Sequence, residues 1–454
     1  MDFKNYFQKN EKDLEKRFFD FLSMPTISAN PLHLQDLKDA AFWLQEYLLK
    51  IGFHVEQWTD NEKSPSVVFA SYTAQNKAPT LLIYNHYDVQ PVDPLEGWTG
   101  HPFKPERKGN IITARGAQDN KGQCFYVLCA LKAWFDHYHS FPINIKLLIE
   151  GEEEVGSSLL ERLLPEKATQ LKADYLLVVD LGIKKEDTPA ITLGIRGIAS
   201  MDVEVTGTNC DLHSGVHGGV AYNPLHALVE ILSSLRDDKG KITVPGFYDD
   251  IEEMSPDEKK LLSFDFDEAK YKKDFGAAPT GGEKEYPASI RGSLRPTLEI
   301  NGLWGGYTGP GCKTVIPSTA HAKLSVRLVS KQTPEKILSS LKNTIESCNK
   351  EGIKVTCTIH EGKGLPLLTS PHSTIIRALR ESCTAVYNKP CAYTLEGGSI
   401  PIIAHLQKVS NSEVALFGLG LASDNIHAPD EHFGWDRIEK GFLIILNLIE
   451  NLAK

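Results

Sequence analysis

Acidic side chains and histidines cluster at the ends of apolar runs in this sequence. His86 and Asp88 lie in TLLIYNHYDV, two positions apart and therefore on one face of an extended segment. Asp119 lies in GAQDNKG, and Glu153 and Glu154 lie in IEGEEEVGS, after another apolar run. The adjacent glutamates repel one another. The stretch is therefore either a solvated turn leading into a helix or a place where a cation lies beside the carboxylates.

Asp180 and His427 are two further candidates of the same chemical kind. Asp180 ends DYLLVVD, and His427 lies in the late loop GLASDNIHAPDEHF. Carboxylates with two neutral imidazoles suit zinc, manganese or cobalt, whereas a calcium site would contain oxygen ligands alone. One tetrahedral ion takes about four ligands, and two ions about 3.5–4 Å apart, bridged by a carboxylate, would use the whole set. Each motif alone is common in turns and helix caps, and their joint placement predicts a metal site.

Strands that alternate with helices would bring these side chains together. The runs SVVFASY, TLLIYNHYDV, NIKLLIEGE and DYLLVVD are typical of buried strands. The predicted helices are residues 11–23, 34–51, 119–137 and 157–164. This alternation predicts a doubly wound α/β domain, in which ligands bind beyond the carboxyl ends of the strands. The candidate ligands therefore share one edge of the predicted sheet.

The sequence pattern changes near residue 196. The segment IASMDVEVTG alternates as a half-exposed strand does, and HAKLSVRLV and IKVTCTI flank a predicted helix at 334–350. These segments, with a long acidic stretch at 244–296 between them, predict an α+β domain with one open sheet. From residue 364 the pattern returns to helices and turns. We therefore predict a discontinuous α/β domain, 1–196 and 364–454, and an inserted α+β domain, 197–363.

The composition limits the class of protein. A chain of 454 residues exceeds what one hydrophobic core fills, and 41% hydrophobic residues support two folded domains. The net charge of -10, without a basic block, disfavours nucleic acid and anionic membranes as partners. No apolar run reaches the roughly 18 residues of a membrane span, and the N-terminus lacks the apolar core of a signal peptide. The scattered cysteines, without a C-x-x-C pair, predict a cytoplasmic protein with reduced thiols.

Six motifs in order carry a family resemblance: YNHYDVQP, GAQDNKG, EGEEEVGS, DLHSGVHGG, RPTLEINGLWGGYTGPGCKTVIP and EGGSIP. They resemble the co-catalytic dinuclear metallopeptidase family of carnosinase, aminoacylase, carboxypeptidase G2-like and succinyl-diaminopimelate desuccinylase enzymes. The DLHSG and RPTLEINGL segments are most similar to the carnosinase and non-specific dipeptidase branch. The resemblance implies a metallo-dipeptidase that hydrolyses the amide bond of dipeptides. A hydroxide bridging two divalent ions per subunit would attack, with zinc favoured and manganese or cobalt as alternatives.

The resemblance also implies the metal ligands. It assigns one ion to His86, Asp119 and Asp180, and the other ion to Asp119, Glu154 and His427. Asp119 would bridge the two ions, and the peptide bond that follows it would be cis.

The catalytic residues implied by the resemblance are Glu153, Asp88 and His213. Glu153 matches the general base of the family. Asp88 would accept a hydrogen bond from the far imidazole nitrogen of His86 and so fix the tautomer of that ring. His213 would donate to the oxyanion, and in related dimers it reaches the site from the partner subunit. Without the resemblance, His213 would be read as a surface histidine of the inserted domain.

Substrate contacts are implied in the inserted domain and near EGGSIP. Arg327 would bind the terminal carboxylate of the substrate as a bidentate fork, although an arginine on a strand is usually a surface residue. Gly398 and Ser399 precede an apparent helix whose amides would hold a carboxylate, and Thr314 would make a polar contact. Taken alone, the Gly-Gly pair is a turn and Thr314 a strand threonine. The inserted domain would act as a lid and as the interface of a homodimer.

Two departures from the family pattern leave the substrate open. Many carnosinase relatives have a second aspartate where this chain has Asn120, and NIHAPDEHF is more similar to the bacterial deacylase branches. An N-acyl-amino-acid deacylase or desuccinylase is therefore the alternative within the family. A catalytically inactive metal-binding scaffold is the alternative of another class, and the retention of Glu153 with the full ligand set argues against it. Glu152 has no role that the sequence assigns.

Overall fold

The computed structural model describes residues 2–61, 63–74, 77–262 and 266–454. The strands are β1 (His54–Trp58), β2 (Val67–Tyr72), β3 (Thr80–His86), β4 (Glu106–Lys108), β5 (Ile111–Thr113), β6 (Asn144–Glu150), β7 (Tyr175–Val179), β8 (Ala190–Ile195), β9 (Gly197–Thr206), β10 (Leu212–His213), β11 (Thr297–Gly305), β12 (Val315–Ile316), β13 (Thr319–Leu328), β14 (Lys354–Ile359), β15 (Leu367–Leu368), β16 (Ala392–Glu396), β17 (Glu413–Phe417) and β18 (His432–Gly434). The helices are α1 (Phe3–Lys9), α2 (Glu11–Leu22), α3 (Leu34–Leu49), α4 (Lys121–Tyr138), α5 (Ser158–Leu171), α6 (Ser214–His217), α7 (Pro224–Ser234), α8 (Pro256–Leu261), α9 (Glu268–Phe275), α10 (Ala288–Arg291), α11 (Pro334–Glu346), α12 (Thr374–Tyr387), α13 (Pro401–Ser410) and α14 (Trp435–Leu452).

Contacts between residues divide the chain into two compact units. The first unit is Met1–Leu193, Thr369–Thr394 and His405–Lys454, and the second is Gly194–Leu368 and Leu395–Ala404. The second unit therefore includes residues 395–404, which the sequence pattern placed with the discontinuous α/β domain. The assignment of a catalytic domain and a lid to particular residues stays a prediction.

A mixed sheet forms the centre of the first unit. Its strands follow the order β1-β2-β6-β3-β7-β17-β8. The pairs β3–β6, β3–β7 and β7–β17 are parallel, whereas β1–β2, β2–β6 and β8–β17 are antiparallel. The predicted α/β class is confirmed, with antiparallel strands flanking a parallel centre. The carboxyl ends of β3, β6 and β7 consequently lie at one edge of the sheet.

Apolar burial explains why these segments form the core of the first unit. In β3 every residue after Thr80 is buried, as expected for a parallel strand that is covered on both faces. Helix α4 is buried over most of its length and packs against α14 and β3. Among the described residues, no helix is long and apolar enough to cross a membrane. The cytoplasmic location stays a prediction.

The second unit contains a four-stranded antiparallel sheet in the order β11-β13-β9-β14. Strands β9 and β13 alternate between buried and less buried residues, so one face of the sheet is covered. Helices α7 and α11 pack against these strands and complete a separate hydrophobic core. This agrees with the α+β pattern that the sequence predicts for the inserted segment.

Candidate metal centre

One group of candidate ligands comes from neighbouring strand ends. His86 is the last residue of β3, Asp180 follows β7, and Asp119 lies just before α4. Tyr84 pairs with Val178 across the parallel strands, and this register brings residues 86 and 180 level with each other. Nε2 of His86 lies 3.1 Å from Oδ1 of Asp119 and 3.5 Å from Oδ1 of Asp180. The three ligand atoms lie within 4.8 Å of one another and can hold one metal ion.

A second group of candidate ligands shares Asp119 with the first. Nε2 of His427 lies 2.9 Å from Oδ2 of Asp119 and 3.3 Å from Oε2 of Glu154. Gln90 donates to Oε2 of Glu154 at 2.8 Å. Asp119 presents Oδ1 to the first group and Oδ2 to the second, which is the arrangement of a bridging carboxylate. The structure thus brings together the five residues that the sequence singled out as metal ligands.

The chemistry of these donors fits divalent cations. The buried Oε1 of Glu154 has no hydrogen-bond partner in the described part of the chain, as expected for an atom that a metal ion would satisfy. Burial alone would raise the pKa of Asp119, but hydrogen bonds from His427 and His86 outweigh it and hold this pKa below its usual range. Hydrogen bonds to Asp119 and Glu154 raise the pKa of His427 to about 10. A metal ion must therefore displace the imidazole proton.

Asp88 connects the first group of ligands to the turn that carries Glu153. Nδ1 of His86 donates to the backbone carbonyl oxygen of Asp88 at 3.2 Å and also lies 3.3 Å from Oδ1 of Asp88. Both side chains are fully buried. The two carboxylate oxygens of Asp88 also accept hydrogen bonds from the backbone N–H groups of Glu153, at 3.2 Å, and Glu154, at 3.1 Å. Asp88 therefore orients the imidazole of His86 through its backbone carbonyl, with its carboxylate close by, and the carboxylate fixes the turn that presents two glutamates.

Glu153 begins a single 3-10 turn, Glu153–Val155, beyond the end of β6. It lies outside both groups of candidate ligands. Burial raises the pKa of Glu153 well above its usual value; the charges of Asp180 and Glu154 act in the same direction, and His86 opposes them. A carboxylate with a raised pKa is a better proton acceptor, which suits a general base.

Glu431 holds the loop that carries Asp119. This fully buried carboxylate accepts hydrogen bonds from the backbone N–H groups of Gly116, Gln118 and Asp119, at 2.9, 3.0 and 3.0 Å. It also forms a 2.8 Å ion pair with the buried guanidinium of Arg115. Glu431 is not among the site residues predicted from the sequence. It lies in NIHAPDEHF, four residues after His427, and this position places it in the same loop without separating it from the adjacent Asp430.

Asn120, the departure from the family pattern, positions Asp180. Its Nδ2 donates to Oδ1 of Asp180 at 2.6 Å and to the carbonyl of Val179 at 2.8 Å. Its Oδ1 accepts from Nδ2 of Asn85 at 2.7 Å. The Asp119–Asn120 peptide bond is cis, as the resemblance implied.

The remaining candidates belong to the second unit. His213 is exposed on β10, and its Nδ1 accepts a hydrogen bond from the N–H of Gly215 at 2.9 Å. This contact leaves Nε2 as the nitrogen that can donate to a ligand. The carbonyl of Thr314 accepts a hydrogen bond from the N–H of Ser214 at 3.0 Å. Because Ser214 directly follows His213, this bond brings the backbone of Thr314 close to His213.

Arg327 and the Gly398-Ser399 turn also lie together in the second unit. The guanidinium of Arg327 donates to Oγ of Ser399 at 2.8 Å, and that hydroxyl donates to the carbonyl of Arg196. The N–H of Arg196 donates to the carbonyl of Gly398 at 3.1 Å. These contacts explain why residues 395–404 group with the second unit.

The α/β fold and the shared carboxylate between two ligand groups are features of a dinuclear metallohydrolase. The sequence model of Peptidase family M20/M25/M40 matches residues 82–451, and the chain belongs to this family. The protein is therefore a peptidase, and the family that its motifs resemble is confirmed.

Similar proteins include dipeptidases and a carboxypeptidase. The chain is 30% identical to the Cys-Gly metallodipeptidase dug1 of Schizosaccharomyces pombe, over 98% of this chain and 96% of that protein. It is 30% identical to the Beta-Ala-His dipeptidase of Homo sapiens, over 83% of this chain and 75% of that protein. Among solved structures, the M20 family metallo-carboxypeptidase Sso-CP2 from Sulfolobus solfataricus has a TM-score of 0.84 and 32% identity, and covers 97% of this chain and 99% of its own.

Proposed function

We propose that the protein is a metal-dependent dipeptidase with two divalent ions at the shared-carboxylate centre. The observation that carries this proposal is that Asp119 supplies one oxygen to each of two ligand groups. His86 and Asp180 complete one group, and Glu154 and His427 the other. The ions, when bound, polarise the amide carbonyl and lower the pKa of the attacking water. Zinc, manganese and cobalt all suit these donors.

Glu153 moves the proton in this proposal. Its carboxylate takes a proton from the attacking water and passes it to the nitrogen of the leaving amine. The raised pKa that burial gives Glu153 favours the first transfer, and Asp88 holds the turn from which Glu153 acts. His213, with Nε2 free to donate, stabilises the negative charge on the former carbonyl oxygen.

The second unit recognises the substrate in this proposal. Arg327 binds the terminal carboxylate with its planar guanidinium, and Ser399 orients that guanidinium through the 2.8 Å hydrogen bond. Gly398 and Thr314 supply further polar contacts. This division gives the first unit the hydrolytic chemistry and the second unit the choice of substrate.

A panel of substrates tests the proposed function. Metal-depleted protein is reconstituted with zinc, manganese or cobalt and offered dipeptides, tripeptides, and N-acetyl- and N-succinyl-amino acids. We expect hydrolysis of several dipeptides in at least one metal and little release from the acyl-amino acids. Preferred release of acyl groups would replace the proposal with the deacylase alternative. Absence of turnover across the panel would favour the inactive scaffold.

The second unit also presents a surface that suits a second copy of the chain. Strand β11 pairs with β13 on one side, and the described residues place no strand on its other side. Ile300 and Leu303 on β11 are 48% and 49% exposed, and Val229 on α7 is 54% exposed. These three side chains line one groove, which we name the β11–α7 patch. An unpaired strand edge beside exposed apolar residues favours pairing with another β11, and this supports the proposed homodimer.

Charged substitutions in the β11–α7 patch are expected to produce monomers. Val229→Glu combined with Leu303→Glu places four carboxylates in each two-fold interface, where burial without partners is unfavourable. Light scattering coupled to size exclusion reports the mass. Leu32→Glu is the matched control, because Leu32 is an 88% exposed leucine of the first unit. A wild-type protein that is monomeric, or a double variant that stays dimeric, would refute this interface.

If His213 acts across the homodimer, two inactive variants are expected to complement each other. A mixed dimer of His213→Ala and Glu153→Gln subunits contains one site with both an intact Glu153 and an intact partner histidine. About a quarter of the wild-type turnover is expected, because half of the molecules are mixed and each has one complete site. Native mass spectrometry of the same sample establishes how much mixed dimer has formed. Mixed dimers without activity would place His213 outside the partner's site.

A further inference from the structure

A cavity of about 380 Å³ in the second unit is unusually rich in arginine. The described residues that line it include Arg196, Arg291 and Arg327, together with the carboxylate of Glu299 and the ring of Tyr271. The chain as a whole carries a net charge of -10, so this concentration of guanidinium groups runs against its overall charge. A volume of this size is within the range of small-ligand pockets, near its lower end.

The guanidinium groups of this arginine cavity interact with neutral oxygen atoms. Arg196 donates through Nε to the carbonyl of Gly397 at 3.1 Å, and Arg327 donates to Oγ of Ser399 at 2.8 Å. Arg291 donates to the carbonyls of Gly281 and Pro279. Within the described ranges, none of the three arginines forms an ion pair with a carboxylate. Three cations therefore share one cavity with the single carboxylate of Glu299 among its described lining residues.

The excess of positive charge in this cavity favours the entry of an anion. Burial lowers the pKa of Arg196 to about 10, and the charge of Arg327 acts in the same direction, whereas Glu299 opposes it. Arg327 pairs with Ile198 across β9 and β13, and Arg196 lies two residues before Ile198. The two guanidinium groups are thus neighbours at one end of the sheet. Carboxylates bind to arginine through charge-assisted hydrogen bonds, which offset the repulsion between the cations.

We propose that the arginine cavity receives the C-terminal residue of the dipeptide, and that Arg196 binds a carboxylate on the side chain of that residue. The proposal rests on the proposed function, in which Arg327 binds the terminal carboxylate. Two adjacent cations then match the two carboxylates of aspartate or glutamate. The preferred substrates are dipeptides that end in an acidic residue.

Kinetics with an isosteric pair of substrates test this proposal. Ala-Glu and Ala-Gln have the same shape and differ by one charge. Wild-type protein is expected to show a kcat/KM at least about tenfold higher for Ala-Glu, as one charge-assisted hydrogen bond supplies this much discrimination. Arg196→Met is expected to lower kcat/KM about tenfold more for Ala-Glu than for Ala-Gln, and Arg196→Lys to keep part of the preference. Lys354→Met, which removes an exposed cation on β14, is expected to keep all of it.

Two kinetic results would overturn the proposal. One is equal kcat/KM of the wild type for the two substrates. The other is an equal loss of kcat/KM for both substrates in Arg196→Met. That result would show that Arg196 acts structurally, through its hydrogen bond to the carbonyl of Gly397. A calorimetric titration with free L-glutamate and L-glutamine gives a readout that needs no turnover. Tighter binding of L-glutamate than of L-glutamine that is lost in Arg196→Met supports the proposal even if no dipeptide is hydrolysed. Equal binding of the two amino acids refutes it. Competition by inorganic phosphate that is equally strong against both amino acids also refutes it.

Discussion

Glu153→Gln is expected to abolish dipeptide hydrolysis while two metal ions per chain remain bound. Glutamine keeps the size of the side chain but cannot accept the proton of the attacking water, and removal of a general base lowers turnover by about 10²–10⁴-fold. Metal content should not change, because Glu153 lies outside both groups of candidate ligands. The backbone N–H of Glu153 still donates to Asp88, so the turn is expected to keep its conformation.

The neighbouring Glu152 provides a matched control for this prediction. Oε2 of Glu152 accepts a hydrogen bond from the backbone N–H of Leu159 at 2.9 Å, and glutamine can accept the same bond. Glu152→Gln therefore changes the charge by the same amount one position away and is expected to retain most activity. Turnover is measured by release of free amino acids, and metal content by elemental analysis. Substantial activity in Glu153→Gln would remove Glu153 from the role of base.

The role of Glu152 shows where sequence reasoning stops. In IEGEEEVGS the family resemblance assigns roles to Glu153 and Glu154, but it assigns none to Glu152. In the structure Glu152 caps the first turn of α5, where a carboxylate satisfies an unpaired N–H and interacts favourably with the helix dipole. The contact joins residues seven positions apart. It depends on the positive φ angles of Gly156 and Ser157, which the sequence did not reveal.

The ligands on the strand ends were predictable for a simple physical reason. Parallel strands place their carboxyl ends at one edge, so His86, Glu154 and Asp180 could be assigned to one region from apolar runs alone. Asp119 and His427 lie on loops, and both were candidates from the motifs themselves. The sharing of Asp119 between two ions and the assignment of His427 to the second ion came from the resemblance. Both residues belong to the first unit, and Nε2 of His427 lies 2.9 Å from Oδ2 of Asp119.

The supporting contacts escaped prediction because they join distant parts of the chain. Glu431 binds the backbone of Asp119 across 312 positions, and no local pattern distinguishes it from the other acidic residues of its loop. The grouping of residues 395–404 has a similar cause. EGGSIP follows a strand of the first unit in sequence, but the contacts of Gly398 and Ser399 with Arg196 and Arg327 draw it into the second.

Asp119→Ala is expected to weaken the binding of both metal ions, whereas His427→Ala weakens one. Asp119 gives Oδ1 to the group with His86 and Oδ2 to the group with His427, so its removal takes a ligand from each ion. The loss of affinity should exceed the roughly 10–100-fold cost of removing an outer hydrogen-bonding partner of a ligand. Elemental analysis after equilibrium dialysis is expected to give two ions per chain for wild type, about one for His427→Ala and fewer than one for Asp119→Ala.

The two variants together separate a shared ligand from two independent ones. If Asp119 bridges the ions, Asp119→Ala already weakens the ion that His427 binds. The variant with both changes is then expected to bind metal only slightly more weakly than Asp119→Ala alone. If Asp119 served one ion alone, Asp119→Ala would retain about one ion per chain, and that stoichiometry would contradict the bridging role. Circular dichroism at each dialysis concentration verifies folding. Glu431 still anchors the backbone N–H of residue 119 in these variants, so the loop is expected to stay in place while its carboxylate is lost.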